Sequence, residues 1–396
     1  MNTLKFGNGE WYGKKDTILA YNDENSNFKP LPFSFDRASS ATVINKDGLI
    51  ETVGSGEPRI DYKDDAKGAL LLEPSRSNLV YPSDIGTPTS GFGVRNYLAP
   101  DGTISAFYPQ PNSTARRFQV IIVGGAYATN TKLIYSWYRK RVSNPSDIGF
   151  IGDLDIKGLI NATQVGVTEQ IESNVSGFDR FSATFNITNG SLATTLRLYY
   201  GNVIGVGNSA IAYWGHQLES NSSYATSYIP TSGGVVTRVQ DVCNNGANEQ
   251  VINSTEGVLY AEISALADDL TQRFISLSDG TTTNRLILGF DNSSNRIISF
   301  ARVGGALSFD IKETVSNIQS YNKIAIKWKE NDFALWSNGV ELGIDTSGAS
   351  FSSNVLNTLK FSDADGTTEI FNGNVKDVRV YNTALTDSEL AALTTI

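Results

Sequence analysis

Apolar residues in this chain come in short runs that alternate with polar ones and end in Gly, Asn, Ser or Asp, and this pattern leaves little choice of fold. Successive side chains of a strand point to opposite faces, so alternation at period two sends one set into a core and the other towards water. Along Leu133 to Arg141, Leu133, Tyr135 and Trp137 share one face, and Ile134, Ser136 and Tyr138 share the other, partly polar one. Thirty-six glycines among 396 residues provide the turns that such strands require. The expected class is all-β. One helix is expected, over Thr386 to Leu393, with Asp387 and Glu389 in its first turn and Leu390 and Leu393 as its apolar face.

The length allows two or three domains of ordinary size. Lys and Arg number 32 against 41 Asp and Glu, and the resulting charge of -9 repels nucleic acid and anionic lipid, so no nucleic acid is expected as partner. A single Cys and a single His exclude an intramolecular disulfide framework and a Cys/His zinc cluster. The opening MNTLKFGNGEWYGKK lacks the apolar core and cleavage site of a signal peptide, and no apolar run nears the roughly 20 residues that span a bilayer. Neither secretory export nor membrane insertion is expected, and no motif calls for a cofactor.

Residues 1–75 read as an extended segment with hairpins, because Pro30, Pro32, Pro58 and Pro74 punctuate short alternating runs. In ATVINKDGLIETV, Asp47-Gly48 between Val43 and the alternating Leu49, Glu51 and Val53 predicts a hairpin. The segment is too polar to bury a core of its own, so it is expected to attach to a neighbouring domain or another protein. Residues 76–240 carry strand candidates at Arg116 to Val123, Leu133 to Arg141, Phe178 to Ile187, Leu196 to Tyr200 and Ile211 to Leu218, spaced as in a β-sandwich. The polar, turn-forming DVCNNGANEQVIN at 241–253 reads as a domain boundary. A second sandwich is expected over 254–396. Its strands are Gly257 to Ser264, Gln272 to Ser278, Arg285 to Phe290, Ile297 to Val303, Tyr321 to Lys329, Asp332 to Ser337 and Val375 to Tyr381. There is no heptad repeat, so a homo-oligomer such as a trimer would have to form through β surfaces or the N-terminal segment.

Three stretches resemble known families. FDRASSATVINKDGLIETVGSGEPRIDY followed by GALLLEPSRSNLV resembles a segment recurring in bacteriophage tail and fibre proteins, with its Arg-x-Ser-x-x-Thr start, DGL hairpin, PRIDY strand and LLEPSRSNL strand. SAIAYWGHQLESNSSYATSYIPTSGGVVTRVQD resembles the last strand and exit of a carbohydrate-binding-module-like jelly roll of the same proteins, and GFDRFSATFNIT fits an inner strand of it. EGVLYAEIS, FALWSNGVELG and FNGNVKDVRVYNTALTDSELAAL resemble the concanavalin A-like, laminin-G-like sandwich, which ends in a glycine turn, a long strand and a short helix. The resemblance implies a virion protein, a tail or fibre component exposed at the particle surface. Its N-terminal segment would join other virion proteins and its jelly roll and concanavalin A-like sandwich would meet host-surface glycans. The alternatives are a capsid-attached fibre or decoration protein without a ligand, and a polysaccharide-degrading enzyme.

Candidate chemistry is sparse. His216 in YWGHQLE has no Ser or Cys nucleophile elbow beside it and reads as a structural strand histidine rather than a base. Cys243, without a Cys partner or candidate base, reads as incidental. Concanavalin A-like folds also host glycosidases, which need two carboxylates about 5 to 10 Å apart. Glu262 stands alone in LYAEISAL and Asp377 in NVKDVRV has no acidic i+2 partner, so no catalytic residue is assigned and a binding protein rather than an enzyme is expected. Asp363, Asp365 and Glu369 in SDADGTTE have calcium-type oxygens, but an ordinary Asp/Gly turn is the favoured reading and no metal is assigned. Tyr135, Trp137, Trp214, Trp328 and Trp336 are expected in the core, whereas Tyr97, Tyr108 and Tyr127, in loop-like context, are candidates to stack on sugar rings. Sequons at Asn161 and Asn186 are expected by chance in so Asn- and Thr-rich a chain.

Overall fold

The computed structural model of the protein describes residues 2–22, 29–83, 93–110, 118–123, 127–143, 149–150, 154–156, 162–166, 174–187, 195–200, 204–205 and 209–396. Arg116 and Arg117 of one expected strand and the sequon residue Asn161 lie outside these residues. Among the described residues the regular structure is strand throughout, apart from the helix Asp387–Thr394. That helix is closed by a capping box: the Thr386 hydroxyl accepts the Glu389 N–H, and the Glu389 carboxylate accepts the Thr386 N–H at 2.8 Å. Leu390 buries its apolar face in a cluster with Val258, Ala325 and Trp336.

The chain forms two compact units, Met1–Ser40 with Val53–Pro74 and Val239–Ile396, and Ala41–Thr52 with Ser75–Arg238. In the first, a long antiparallel sheet has the strand Gly373–Tyr381 between Glu256–Ala265 and the N-terminal strand Asn2–Gly7, with Phe6 opposite Val378. Thr17–Asn22, Lys29–Asp36 and Val242–Asn244 continue the sheet beyond Asn2–Gly7, and Asn322–Lys329, Phe333–Ser337 and Val340–Asp345 continue it on the other side. A second sheet runs in the order Ala306–Thr314, Arg296–Val303, Arg285–Phe290, Arg273–Ser278, Thr358–Lys360. One apolar cluster draws on both sheets: Leu259, Ala261 and Ile263 from the first, Ile275, Leu286 and Leu288 from the second.

The N-terminal residues therefore do not form the separate segment expected over 1–75. Leu4, Phe6, Ile18, Phe33 and Phe35 are fully buried in that same cluster, and the rings of Phe6, Phe33 and Phe361 lie 4.9 to 5.8 Å apart. The segment looked too polar because half of each strand faces outward, while its apolar half completes a core whose other residues are remote in sequence. The expected boundary at 241–253 is displaced for the same reason: Val242–Asn244 is a strand of the sheet, and Cys243, Val251 and Ile252 are buried. Only the hairpin, Ala41–Ile44 with Ile50–Val53, departs to the second unit for most of its length. It turns as expected on Gly48, whose φ is +72°.

The second unit contains a sheet in the order Gly93–Tyr97, Ala106–Gln110, Ser209–Ser220, Lys132–Ser143, Phe178–Ile187, Ala162–Gly166, and a shorter one made of Phe118–Val123, Thr195–Tyr200 and Leu154–Ile156. The architecture is thus all-β and antiparallel, as its alternation implied. The expected core aromatics are buried in both units, Tyr135 stacking on Trp137 at 5.2 Å.

Residues of the first two sequence motifs are spent on buried polar ties. In the first unit, Arg37 Nη1 donates to Asp241 Oδ1 at 2.9 Å, Arg59 Nη2 pairs with Asp241 Oδ2, and Arg59 Nη1 donates to Glu73 Oε2 at 2.6 Å. The Glu73 N–H adds a bond of 2.9 Å to Asp241 Oδ2, and no side chain of the four is more than 3% exposed. In the second unit, the buried Glu219 carboxylate accepts the Thr226 N–H and hydroxyl at 3.0 and 2.5 Å, and Asn78 donates to the carbonyls of His216 and Ile229.

Two outcomes follow from this arrangement. A fragment of residues 254–396 lacks Leu4, Phe6, Ile18, Phe33 and Phe35, each worth roughly 1.5–3 kcal/mol of burial, against a total margin of about 5–15 kcal/mol. It should show no cooperative thermal transition by near-UV circular dichroism, whereas the intact chain should. Asp241→Asn, which leaves two buried guanidinium groups short of counter-charge, should cost about 3–5 kcal/mol in denaturant titration. Lys5→Ala, which breaks the exposed Lys5–Glu10 pair, should cost less than about 1 kcal/mol.

Candidate binding site

In NVKDVRVY the period-two pattern breaks at Lys376-Asp377, and the pairing shows why. Glu262 stands opposite Asp377 while the next residue, Ile263, stands opposite Val375, so Lys376 is an extra residue in a β-bulge. The bulge turns Lys376, Asp377 and Arg379 to the outer face of the sheet, while Val375, Val378 and Val380 remain in the core. The N-terminal turn seats it: the Asn8 N–H donates to the Lys376 carbonyl at 2.6 Å. Gly7 makes this approach feasible, because its φ is +87° and a Cβ there would lie 2.5 Å from that same oxygen.

Over this patch lies a cavity of about 370 Å³, lined by residues of the first unit alone. Lys376 Nζ holds one wall together. It pairs with Asp65 at 2.8 Å, approaches Glu262 at 4.0 Å and sits 3.7 Å from the centre of the Tyr321 ring. Tyr260, only 2% exposed, lies beneath the cavity with the Arg379 guanidinium 5.5 Å from its ring centre, and Arg379 Nη2 donates to Asp377 Oδ2 at 2.5 Å. Two further ammonium groups line the cavity: Lys67, which donates to Asn8 Oδ1 at 3.2 Å, and Lys323, which donates to the Thr395 carbonyl at 2.8 Å.

Glu262 and Asp377, each read from sequence as lacking an acidic neighbour, are thus brought face to face across two strands. Burial raises the Asp377 carboxyl above its usual range and the charge of Glu262 adds to this, against the pull of Arg379. Burial, with the same two carboxylates, also pushes the Tyr260 hydroxyl up. Hydrogen bonding to Lys376 holds Asp65 below its usual range.

Apart from Glu262 and Asp377, the residues singled out from sequence lie elsewhere. His216 is fully buried, stacked on Tyr135 with Nδ1 2.5 Å from the Tyr135 hydroxyl, and desolvation drives its pKa down to about 3. Cys243 is in the core of the first unit and burial pushes its thiol up, away from the reactive thiolate. Asp363 is buried and bonded to Arg285 at 2.7 Å, while Asp365 accepts the Thr367 and Thr368 N–H groups at 2.8 and 3.0 Å, which lowers it to about 2. Glu369 takes a left-handed backbone at φ +44° in the same turn. Tyr97 and Tyr108 fall in strands rather than loops, Tyr97 half-buried beside Phe178, whereas Tyr127 is in a loop; neither Tyr97 nor Tyr127 lines the cavity. The pairing of Glu262 with Asp377 and the other cavity residues escaped sequence reading because they come from both ends of the chain. One local signal was present, the two consecutive charges in NVKDVRV that violate strand alternation.

Residues 259–391 match the family model Laminin_G_3, described as the concanavalin A-like lectin/glucanases superfamily. No match was found among curated proteins. Among solved structures, the chain is similar to the Ruminococcus gnavus IT-sialidase CBM40, at 17% identity and a TM-score of 0.33 over 38% of this chain and 93% of that one. It is also similar to domain 4 of AbnA, a GH43 extracellular arabinanase from Geobacillus stearothermophilus solved with arabinotriose, at 14% identity and a TM-score of 0.33 over 44% and 84%. A third is a SAP-like pentraxin from Limulus polyphemus, at 14% identity and a TM-score of 0.30 over 36% and 71%. At these values the likenesses carry no functional argument.

His216 gives a pH-dependent outcome. Its native pKa lies below the unfolded value of 6.5, so the unfolded chain binds the proton first and stability falls as pH drops from 6.5 towards about 3. His216→Gln should flatten that acid limb by an amount on the order of a few kcal/mol, read from denaturant midpoints at pH 7, 5 and 4.

Proposed function

We propose that the protein is a non-enzymatic glycan-binding protein of a bacteriophage virion surface, a tail or fibre component that adheres to host polysaccharide, and that the outer-face cavity is its saccharide site. The observation that carries this reading is the lining. Ammonium donors from Lys67 and Lys323 and carboxylate acceptors from Asp65 and Glu262 line the cavity together. Sugar hydroxyls both donate and accept, so a saccharide needs polar groups of both kinds. The volume of about 370 Å³ suits one or two rings. The concanavalin A-like match of residues 259–391 accords with a lectin-like role.

Binding without cleavage is favoured by the state of the paired acids. Directly opposite strand residues have Cβ atoms about 4.5–5.5 Å apart, within reach of the retaining-hydrolase spacing. Asp377, however, is only 2% exposed and is tied to Arg379, and Glu262 is 4.0 Å from Lys376, so the pair does not offer a free acid and a free nucleophile to one glycosidic bond. Attachment to other virion proteins would use surfaces of the folded units, because the N-terminal strands are consumed in the sheet. Weak single sites would gain avidity from many copies on one particle.

Incubation of the purified protein with immobilised host capsule or cell-wall polysaccharide should give retention without new reducing ends. Failure to bind any host polysaccharide would favour a decoration protein instead. Chain shortening abolished by Glu262→Gln would establish an enzyme.

A further inference from the structure

We infer that the saccharide taken by this cavity is acidic, bearing a singly charged anion that Lys67 and Lys323 hold; this rests on the cavity being a glycan site. The charge inventory leads there. The lining holds four cations, Lys67, Lys323, Lys376 and Arg379, against three acids, Asp65, Glu262 and Asp377, a local excess of one positive charge in a chain of net charge -9.

The matched groups can be set aside. Arg379 is committed to Asp377, and Lys376 lies between Asp65 and Glu262, so one ammonium screens both acids. The remaining cations have neutral acceptors: Lys67 donates to the Asn8 amide oxygen and Lys323 to the Thr395 carbonyl. Neither forms an ion pair among the described residues, although Glu262 stands opposite Lys323 in the strand pairing and Lys67 helps to hold Asp65 low. Each ammonium carries three donors, so both retain bonds to offer. They reach the cavity from separate elements, Lys67 from the loop before the strand Ala69–Leu72 and Lys323 from the strand Asn322–Lys329. A ligand carboxylate or phosphodiester meets that excess with charge-assisted hydrogen bonds, while Asp65 and Glu262 remain to accept hydroxyls. Both anions are singly charged, which is the amount of charge left over.

The test compares an oligogalacturonide with its methyl ester, which has the same shape and no charge, with a neutral galactose oligomer and with a sugar-phosphodiester polymer, all on the full chain by calorimetry. An acid should bind at least tenfold more tightly than the ester at low salt, and the ratio should fall as salt rises. Lys67→Gln and Lys323→Gln retain a side-chain donor but lose the charge, and each should lower the acid-over-ester ratio several-fold. The salt dependence of the unaltered protein reads the same ratio should either variant fail to fold. Preference for the phosphodiester over the oligogalacturonide would assign the anion to phosphate, with the shared chemistry intact. Equal binding of acid, ester and neutral oligomer would overturn the acidic inference while leaving the glycan site standing; no binding of any of the four would remove the glycan site itself.

Discussion

Asp241 accepts hydrogen bonds from Arg37, from Arg59 and from the backbone of Glu73, and Glu73 closes the circuit by pairing with Arg59. Burying these charges away from water costs several kcal/mol each unless every one is matched. The partners are separated by as many as 204 positions in the chain, so the matching exists only once the strands around Lys29–Asp36, Ala69–Leu72 and Val242–Asn244 are in place. A slipped strand would bury an unmatched charge. The circuit thus penalises wrong assembly at the places where the chain leaves and re-enters the first unit, whose segments end at Ser40, begin at Val53, end at Pro74 and begin again at Val239.

From that assembly comes the site. Once Asn2–Gly7 is paired with Gly373–Tyr381, the turn at Gly7 and Asn8 reaches the bulged Lys376, and the loop carrying Asp65 and Lys67 closes over the same patch. The bulge is what makes the patch charged: without the extra residue, Lys376 and Asp377 would point to opposite faces and one of them would enter the apolar core. The motif residues Arg37, Arg59, Glu73 and Asp241 contribute to this indirectly, as scaffold, and none of them lines the cavity.

Electrostatics then separate the molecule from its site. The chain as a whole is acidic, yet the cavity has more cations than anions, and Lys67 and Lys323 on its walls form no ion pair among the described residues. Long-range repulsion and local attraction act on different length scales, since salt screens the first over about 8–10 Å and leaves close contacts largely intact.

Much of the fold was legible in the order of residues alone. Alternation located Arg285–Phe290 with its observed bounds, Asp387 and Glu389 marked the first turn of the helix, and the aromatics expected in the core are buried, although Ile134, Ser136 and Tyr138, on the face read as the wetter one, are buried as well. These are local properties, decided by period, turn chemistry and capping within a few residues. Period two says which face a side chain takes and nothing about which strand lies alongside. The tertiary structure alone decided that Asn2–Gly7 completes a sheet with Gly373–Tyr381, that Glu262 faces Asp377, and that Lys67 and Lys323 share a cavity, because pairing is chosen by long-range burial that no local window of sequence contains.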